Sequence, residues 1–232
     1  MAFWFKNRIT LDSITFGTLD WELQHESKNL RYWSTPNSEL IMFRYLHWAP
    51  VYPFDFTNLE AARRFFGEES QKGFGAIISV DFDKIDGVNV IIGVFKGRSP
   101  NPEDTSLHFG VRLIILYRDF SFEITIDSAE TGTTGGREAA VSVILGEKPD
   151  EDKELVGVEN MEDSFEQMRN SPIIRVAADN EEYDKSFPKH PLSKVRALQR
   201  HVLDTLVISD DVKKSKPYVA GCHWLSASVC SN

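Results

Sequence analysis

The stretch that decides the fold runs from Leu107 to Leu145 and reads LHFGVRLIILYRDFSFEITIDSAETGTTGGREAAVSVIL. An apolar run over 111–117 meets the polar pair Arg118-Asp119, and a second run then alternates apolar and polar residues over 120–127. Alternation with period two, in β-branched and aromatic residues, is typical of a strand with one buried face. Two such runs with a short polar break predict an antiparallel hairpin. We expect the glycine-rich residues after it to stop the sheet and 137–145 to form a helix.

The composition is that of an ordinary globular protein. The chain has 232 residues, of which 41% are hydrophobic and 26% charged, so it can bury a sizeable core without disulfides. The net charge of −9 argues against a nucleic-acid partner, because such binding depends on lysine and arginine. Only two cysteines occur, which suits a reducing compartment. No stretch has the length and apolarity of a signal peptide or a membrane span, so we expect a cytoplasmic protein with no membrane partner.

The first quarter of the chain is rich in aromatic residues. Strands are predicted at 16–25, 30–35 and 39–48, with a turn at Pro36-Asn37. The aromatic side chains either fill the core beneath a sheet or form an exposed recognition patch, to which Trp33, Trp48 and Tyr52 would contribute. Both alternatives stay open from the sequence.

A helix is predicted to begin at the capping box Thr57-Asn58-Leu59-Glu60 and to end at Gly73. Beyond it, strands are predicted at 75–82 and 88–96 around the turn signal Asp86-Gly87. A strict two-residue loop would set Asp81 and Asp83 opposite apolar residues. We therefore expect a loop one residue longer. The aspartates do not make a calcium loop, because Ile85 stands where an oxygen ligand is needed.

The segment 147–184 carries 13 acidic and 4 basic side chains, so the whole net charge lies within it. It is predicted to be a solvated, partly mobile connector, with an acidic docking surface as the alternative. A helix follows over 191–208, with Pro191 at its first position. Its apolar stripe, predicted to lie against the sheet, consists of Leu192, Val195, Leu198, Val202 and Leu206. Arg196 and Arg200 are predicted to flank this stripe at the solvent edge. Residues 1–216 should form a single domain and 217–232 a disordered tail.

One motif suggests chemistry, the turn between the second central strand and its helix. It consists of Gly132, Thr133, Thr134, Gly135, Gly136 and Arg137. Backbone N–H groups at a helix start can bind an anion. The nucleotide-binding patterns are missing, however, so an ordinary tight turn is the alternative. Hydrolase motifs are absent. Cys222, His223 and Cys230 offer a weak zinc set, and no metal or cofactor is predicted.

The segment 183–196 reads YDKSFPKHPLSKVR, and 131–138 reads TGTTGGRE. Both blocks resemble those of an uncharacterised bacterial family with a C-terminal "YD..FP.HPLS.VR" segment, and the resemblance implies no known activity. An antiparallel sheet closed by a C-terminal helix also looks like the PsbP-like superfamily, whose members act as adaptors, chaperones and partners of small GTPases or photosystems.

These observations predict an α+β fold in which a mostly antiparallel twisted sheet carries packed helices, with the C-terminal helix against the sheet. The predicted function is a non-enzymatic binding or adaptor module whose partner is another protein. Its partner-binding residues are predicted to be Trp33, Trp48, Tyr52, Arg196 and Arg200. The alternative is an enzyme, such as a hydrolase, acting on an anionic small molecule held at the turn 132–137.

Overall fold

The computed structural model describes residues 9–73, 75–99, 101, 104, 106–132, 134–146 and 171–220. Within this part the strands are β1 Ile14–Thr15, β2 Glu22–Ser27, β3 Leu30–Ser34, β4 Leu40–Leu46, β5 Gly75–Ile85, β6 Val88–Arg98, β7 Leu107–Leu116, β8 Ser121–Ala129 and β9 Val207–Ile208. The helices are α1 Leu59–Lys72, α2 Gly136–Leu145, α3 Pro191–Thr205 and α4 Asp210–Lys213, with single 3₁₀ turns at Leu11–Ser13, Ala177–Asp179 and Glu181–Tyr183. The protein has the predicted α+β fold.

Seven strands form one antiparallel sheet in the order β2-β3-β4-β8-β7-β6-β5, and β1 pairs with β9 apart from it. The predicted central hairpin is confirmed, because β7 and β8 pair with Val111 opposite Ile126 and Leu113 opposite Ile124. On its other side β8 pairs with β4, so the most apolar strands lie in the middle of the sheet.

Helix α3 covers one face of the sheet. Its residues Leu192, Val195 and Val202 are fully buried and share one apolar cluster with Phe122 of β8. Burying each such side chain stabilises the fold by roughly 1.5–3 kcal/mol. The predicted stripe is therefore confirmed, although the helix ends earlier than expected, at Thr205, and the residues that follow form β9.

Helix α1 covers the opposite face at β5 and β6, where Ala62 packs with Val80 and Ile91. It ends at Gly73 as predicted. The predicted N-cap is wrong by one residue, because the side chain of Asn58 accepts the hydrogen bond from the N–H of Ala61.

The prediction that β8 has one solvated face is wrong, because side chains on both of its faces are buried. Ser121 and Thr125 are nearly inaccessible, and Glu123 forms ion pairs with Arg44 and Arg112. Alternation of polar and apolar residues in a central strand thus reflects a paired polar layer, which a single strand's sequence cannot distinguish from a solvated face.

The register predicted for β5 and β6 is also wrong. Asp83 lies opposite Val90 and Ile85 opposite Val88, which is the strict two-residue loop. Asp86 and Gly87 both have positive φ, as a type I′ turn requires. The pairing costs little, because β5 is an edge strand on which Asp83 remains exposed.

Three segment boundaries differ from expectation. The strand predicted at 16–25 begins only at Glu22, because Leu19 has a φ of 45° within a turn that closes from Trp21 N to Thr18 O. The acidic connector is not loose over 171–184, where Asp179 is 1% exposed; 147–170 lie outside the described residues. The predicted disordered tail is ordered at its start, because the hydroxyl of Tyr218 accepts from Tyr52 N at 2.8 Å; 221–232 are likewise not described.

Asp127 of β8 is a titratable group of this polar layer. It lies opposite Gly110, where a Cβ atom would meet the ring of Phe95 at 2.3 Å and the Asp127 carboxylate at 2.7 Å. Burial raises the pKa of the Asp127 carboxyl to about 6, against smaller opposing effects of Arg112 and His108. The folded state therefore holds this proton more tightly than the unfolded chain does. The stability that the proton contributes is complete below the ordinary pKa of 3.8 and is lost as the pH rises through about 6.

We predict that Asp127→Asn, which is neutral at every pH, raises the free energy of unfolding at pH 8 by about 2–3 kcal/mol, since one pKa unit corresponds to about 1.4 kcal/mol. At pH 4 the gain should be close to zero. Urea denaturation at both pH values measures this, with the exposed Asp83→Asn as the control. An equal gain at both pH values would contradict the assigned pKa.

Candidate functional site

The two sequence blocks at 131–138 and 183–196 meet in space at one end of the sheet. The first block leaves β8, turns, and opens α2. The second is the segment that leads into α3, including the first part of that helix. Arg137 of the first block is where they join. It is 2% exposed, and its guanidinium faces Asp184 and Ser193 of the second block.

The guanidinium of Arg137 is held by four acceptors. It donates to Ala178 O at 2.6 Å, to Ser193 Oγ at 2.8 Å, to Asn180 O at 2.9 Å and to Asp184 Oδ1 at 3.0 Å. Ala178 lies in the first of two 3₁₀ turns, Asn180 between the turns, Asp184 directly after the second turn, and Ser193 in α3. A buried cation needs partners of this kind, because its desolvation is costly. Arg137 therefore fixes α2 against the chain that leads into α3.

Two further cations extend this buried network. Arg196 of α3 donates to Asp184 Oδ1 at 3.1 Å and to the backbone oxygen of Asp179 at 2.8 Å. Lys96 of β6 donates to Asp179 Oδ2 at 2.7 Å, with both side chains almost wholly buried. The acidic residues at the end of the predicted connector are thus structural partners of cations from α2, α3 and the sheet.

Beside this network lies a pocket of about 440 Å³. Its lining consists of Ala129, Glu130, Thr131, Gly136, Arg137, Ser186, Phe187, Pro188, Lys189, His190, Pro191 and Lys194. The volume lies within the range of ordinary ligand pockets. Apolar ring and methyl groups make up part of the wall, and charged groups make up the rest.

Glu130 and His190 form the charged floor of this pocket, with Glu138 next to them. The nearest ligand atoms of these three side chains all lie within 4.8 Å of one another. Glu130 accepts from Gly135 N and Leu107 N, both at 3.1 Å. Burial by itself would raise the pKa of the Glu130 carboxyl. The His190 imidazole and the two backbone donors outweigh burial, so this pKa lies below its ordinary value.

Both carboxylate oxygens of Glu138 are buried and accept no hydrogen bond from any described residue. Within the described part of the chain, no lysine or arginine forms an ion pair with Glu130 or Glu138. His190 Nε2 faces Glu130 Oε1 at 3.8 Å, which is too long for a direct hydrogen bond. Glu130 and Glu138 therefore form a pair of buried carboxylates, and among the described residues the imidazole of His190 is the one basic group within ion-pair distance of Glu130.

The tautomer of His190 follows from its position at the start of α3. Its Nδ1 accepts a hydrogen bond from Leu192 N at 3.2 Å and so caps the helix. A nitrogen that accepts carries no proton, so the neutral ring has its proton on Nε2. In this state Nε2 is not a base for Ser186, the one serine on the pocket wall.

The structure does not support the predicted anion site at 132–137. Arg137 points into the protein, and its guanidinium already donates four hydrogen bonds to protein acceptors. The N–H of Gly135, which has the positive φ that this turn needs, donates to the protein's own carboxylate at Glu130. Gly132, Thr134 and Gly136 are exposed, and Thr133 lies outside the described residues. Carboxylates thus occupy the position where an external anion was expected, and they would repel one.

The predicted partner-binding residues do not form one surface. Trp33 is 7% exposed and belongs to the core, and Arg196 is buried in the network above, so the predicted solvent position of Arg196 is wrong. Tyr52 is largely enclosed, and burial raises the pKa of its phenol. Trp48 and Arg200 are exposed, Trp48 in the loop after β4 and Arg200 on α3 beside Glu181.

Sequence reasoning did not single out Glu130, Glu138 or His190. In the sequence His190 is a lone histidine, and in the structure it caps a helix. A detectable signal existed, because all three lie in or next to the two blocks that carry the family resemblance. These three residues are close together because α3 packs against β8, and no local sequence pattern reveals this long-range contact.

No family model matches the chain, and no curated protein matches it. Among solved structures, the chain is similar to the Ran-binding protein Mog1p of Saccharomyces cerevisiae, with a TM-score of 0.42 and 11% sequence identity. The match covers 86% of this chain and 93% of that one. A likeness at this level supports no assignment of function. In the described part of the chain, none of the helices combines the length and apolarity needed to cross a bilayer.

We predict that Arg137→Ala lowers the free energy of unfolding by about 3–5 kcal/mol, because it leaves Asp184 and two carbonyl groups short of a buried donor. Arg200→Ala removes only the exposed ion pair between Arg200 of α3 and Glu181. It should lower the free energy of unfolding by at most about 1 kcal/mol. Urea denaturation compares the two variants. Equal, small losses would show that the Arg137 network does not hold the fold.

Proposed function

We propose that this protein is a non-enzymatic, cytoplasmic binding module for another protein, and that the partner inserts a side chain into the pocket beside α2. The observation that carries the proposal is the arrangement along α2 itself. The helix begins at the pocket and ends, ten residues later and about 15 Å away, on three exposed apolar residues.

Those residues are Val143, Ile144 and Leu145, whose exposed fractions are 79%, 64% and 47%. Consecutive exposed apolar residues favour a contact with another protein, since water is a poor environment for them. A small molecule in the pocket would leave them uncovered. A protein surface that spans the length of α2 would cover both the pocket and the apolar end.

The pocket chemistry favours binding over catalysis. Two of the cations that line it already have partners, because Lys194 forms an ion pair with Glu39 at 2.8 Å and Arg137 belongs to the buried network. Among the described residues of the pocket wall the one imidazole is that of His190, and its capping tautomer has the proton on Nε2, so this nitrogen is not a base for Ser186. An enzyme acting on an anion would have to overcome the carboxylates of the floor. The overall charge of −9 likewise disfavours nucleic acid as the partner.

The family resemblance stays a prediction; the structure brings its two blocks together at the pocket. Adaptors need a rigid recognition site more than a reactive one. Here the walls at 186–191 carry two prolines and are tied to the buried network through the 3₁₀ turns.

We predict that Ser186→Trp, which fills the pocket mouth from an exposed position, reduces recovery of the partner by about tenfold or more, whereas Lys185→Trp, next to it and outside the pocket lining, does not. Ile144→Asp should cause a similar loss with a native melting temperature. The measurement is quantitative mass spectrometry of proteins captured by each variant, followed by direct titration of the recovered partner. Unchanged capture by both Ser186→Trp and Ile144→Asp would refute the proposal.

A further inference from the structure

Two carboxylates and one imidazole converge next to the pocket without a paired lysine or arginine among the described residues. One ligand atom each of Glu130, Glu138 and His190 lies within 4.8 Å of the other two, and His190 Nε2 is 3.8 Å from Glu130 Oε1. Keeping two carboxylates close together and away from water is unfavourable unless a positive charge compensates them. The single imidazole of His190 carries at most one positive charge, so it cannot balance both carboxylates.

An independent feature points to a ligand at the same place. The His190 side chain is nine-tenths buried, with 10% exposed, and its Nε2 has no hydrogen-bond partner among the described residues. A buried ring nitrogen aimed at two carboxylates is a donor set of the kind that holds divalent metal ions. Glu130 is also oriented by two backbone N–H donors, which is the outer-sphere support that metal-binding carboxylates usually have.

We propose that Glu130, Glu138 and His190 form a binding site for a divalent transition-metal ion, represented by Zn²⁺, at the floor of the pocket. One dication balances the charge of the two carboxylates. The nitrogen ligand favours zinc over magnesium or calcium, which prefer oxygen ligands. Three protein ligands leave at least one coordination position open towards the pocket.

The role of this ion rests on the proposed function, because the open position would hold an oxygen atom of the side chain that the partner inserts. The metal site itself does not rest on it. Among the described residues that line the pocket there is no further carboxylate or imidazole to act as a base beside the ion, which suits a binding role.

The site makes a specific demand on His190. Coordination through Nε2 requires the proton to move to Nδ1, and the capping bond from Leu192 N is then lost. A bound zinc ion can supply the free energy for this exchange, since its binding is strong compared with one capping hydrogen bond. A hydrogen bond from the Ser186 hydroxyl to Nε2 would not supply enough free energy to replace the lost capping bond. Metal binding should therefore change the tautomer of His190, which an ion adsorbed elsewhere on the surface would not do.

The test uses the full chain carrying Cys222→Ser and Cys230→Ser, since these thiols could bind zinc independently of the pocket. The protein is stripped with EDTA and titrated calorimetrically with ZnCl₂, then with MgCl₂. We expect one zinc ion per chain and no comparable magnesium binding. Glu138→Gln and His190→Ser should each weaken zinc binding by about 10–100-fold or more. Serine keeps an N-cap acceptor, so His190→Ser should retain α3 and a near-native melting temperature.

The control is His47→Ser, which removes an exposed histidine outside the cluster and should leave zinc binding unchanged. In ¹H–¹⁵N spectra of the histidine rings, His190 should be protonated at Nε2 without metal and at Nδ1 with zinc. The inference is overturned if zinc does not bind, if His47→Ser weakens it as much as His190→Ser, or if the His190 tautomer does not change. Partner capture that depends on the pocket but persists in EDTA would overturn the ion's role while the proposed function stands. Zinc binding without any pocket-dependent capture would overturn the proposed function while the metal site stands.

Discussion

The buried guanidinium of Arg137 is the interaction on which the rest of this site depends. A charge removed from water must find acceptors. Arg137 finds them at Ala178 in a 3₁₀ turn, at Asn180 and Asp184 on either side of the second 3₁₀ turn, and at Ser193 on α3. The geometry of five donors in one plane restricts where those segments can lie. The cation thus determines the position of the segment at 186–191, and with it the pocket wall.

The same rule applies elsewhere in the interior. Asp179 pairs with Lys96, Glu39 with Lys194, and Glu123 with two arginines, so acidic residues that look solvated in the sequence are partners of cations from distant strands and helices. Against this pattern, Glu130 and Glu138 stand apart. They are buried carboxylates without a lysine or arginine partner in the described part of the chain, which is why they are assigned a ligand.

Local patterns predicted the parts of the fold that depend on neighbours in sequence. The alternation after Phe120 predicted β8, and Pro191 with the apolar stripe predicted α3. The failures involve long-range pairing. The sequence predicts Arg196 at the solvent edge, because an arginine beside the apolar stripe of a helix is usually exposed. In the structure Asp184 packs against it and accepts its hydrogen bond. The Gly-rich turn left an anion site and an ordinary tight turn open, because its sequence does not show that Glu130 would occupy the helix start. The residues of the candidate site lie in or next to the two resembling blocks, but its chemistry follows only from the contact between them.

The central claim is that Arg137 and Asp184 act as one buried unit that joins the two blocks. A double-mutant cycle with Arg137→Met, Asp184→Asn and the double variant, followed by urea denaturation at pH 7, measures their coupling directly. The account predicts a coupling free energy of about 2–3 kcal/mol, the upper range for residues in one buried network. A coupling near zero would mean that the two side chains stabilise the fold independently, and it would contradict the claim that their contact holds the pocket in place.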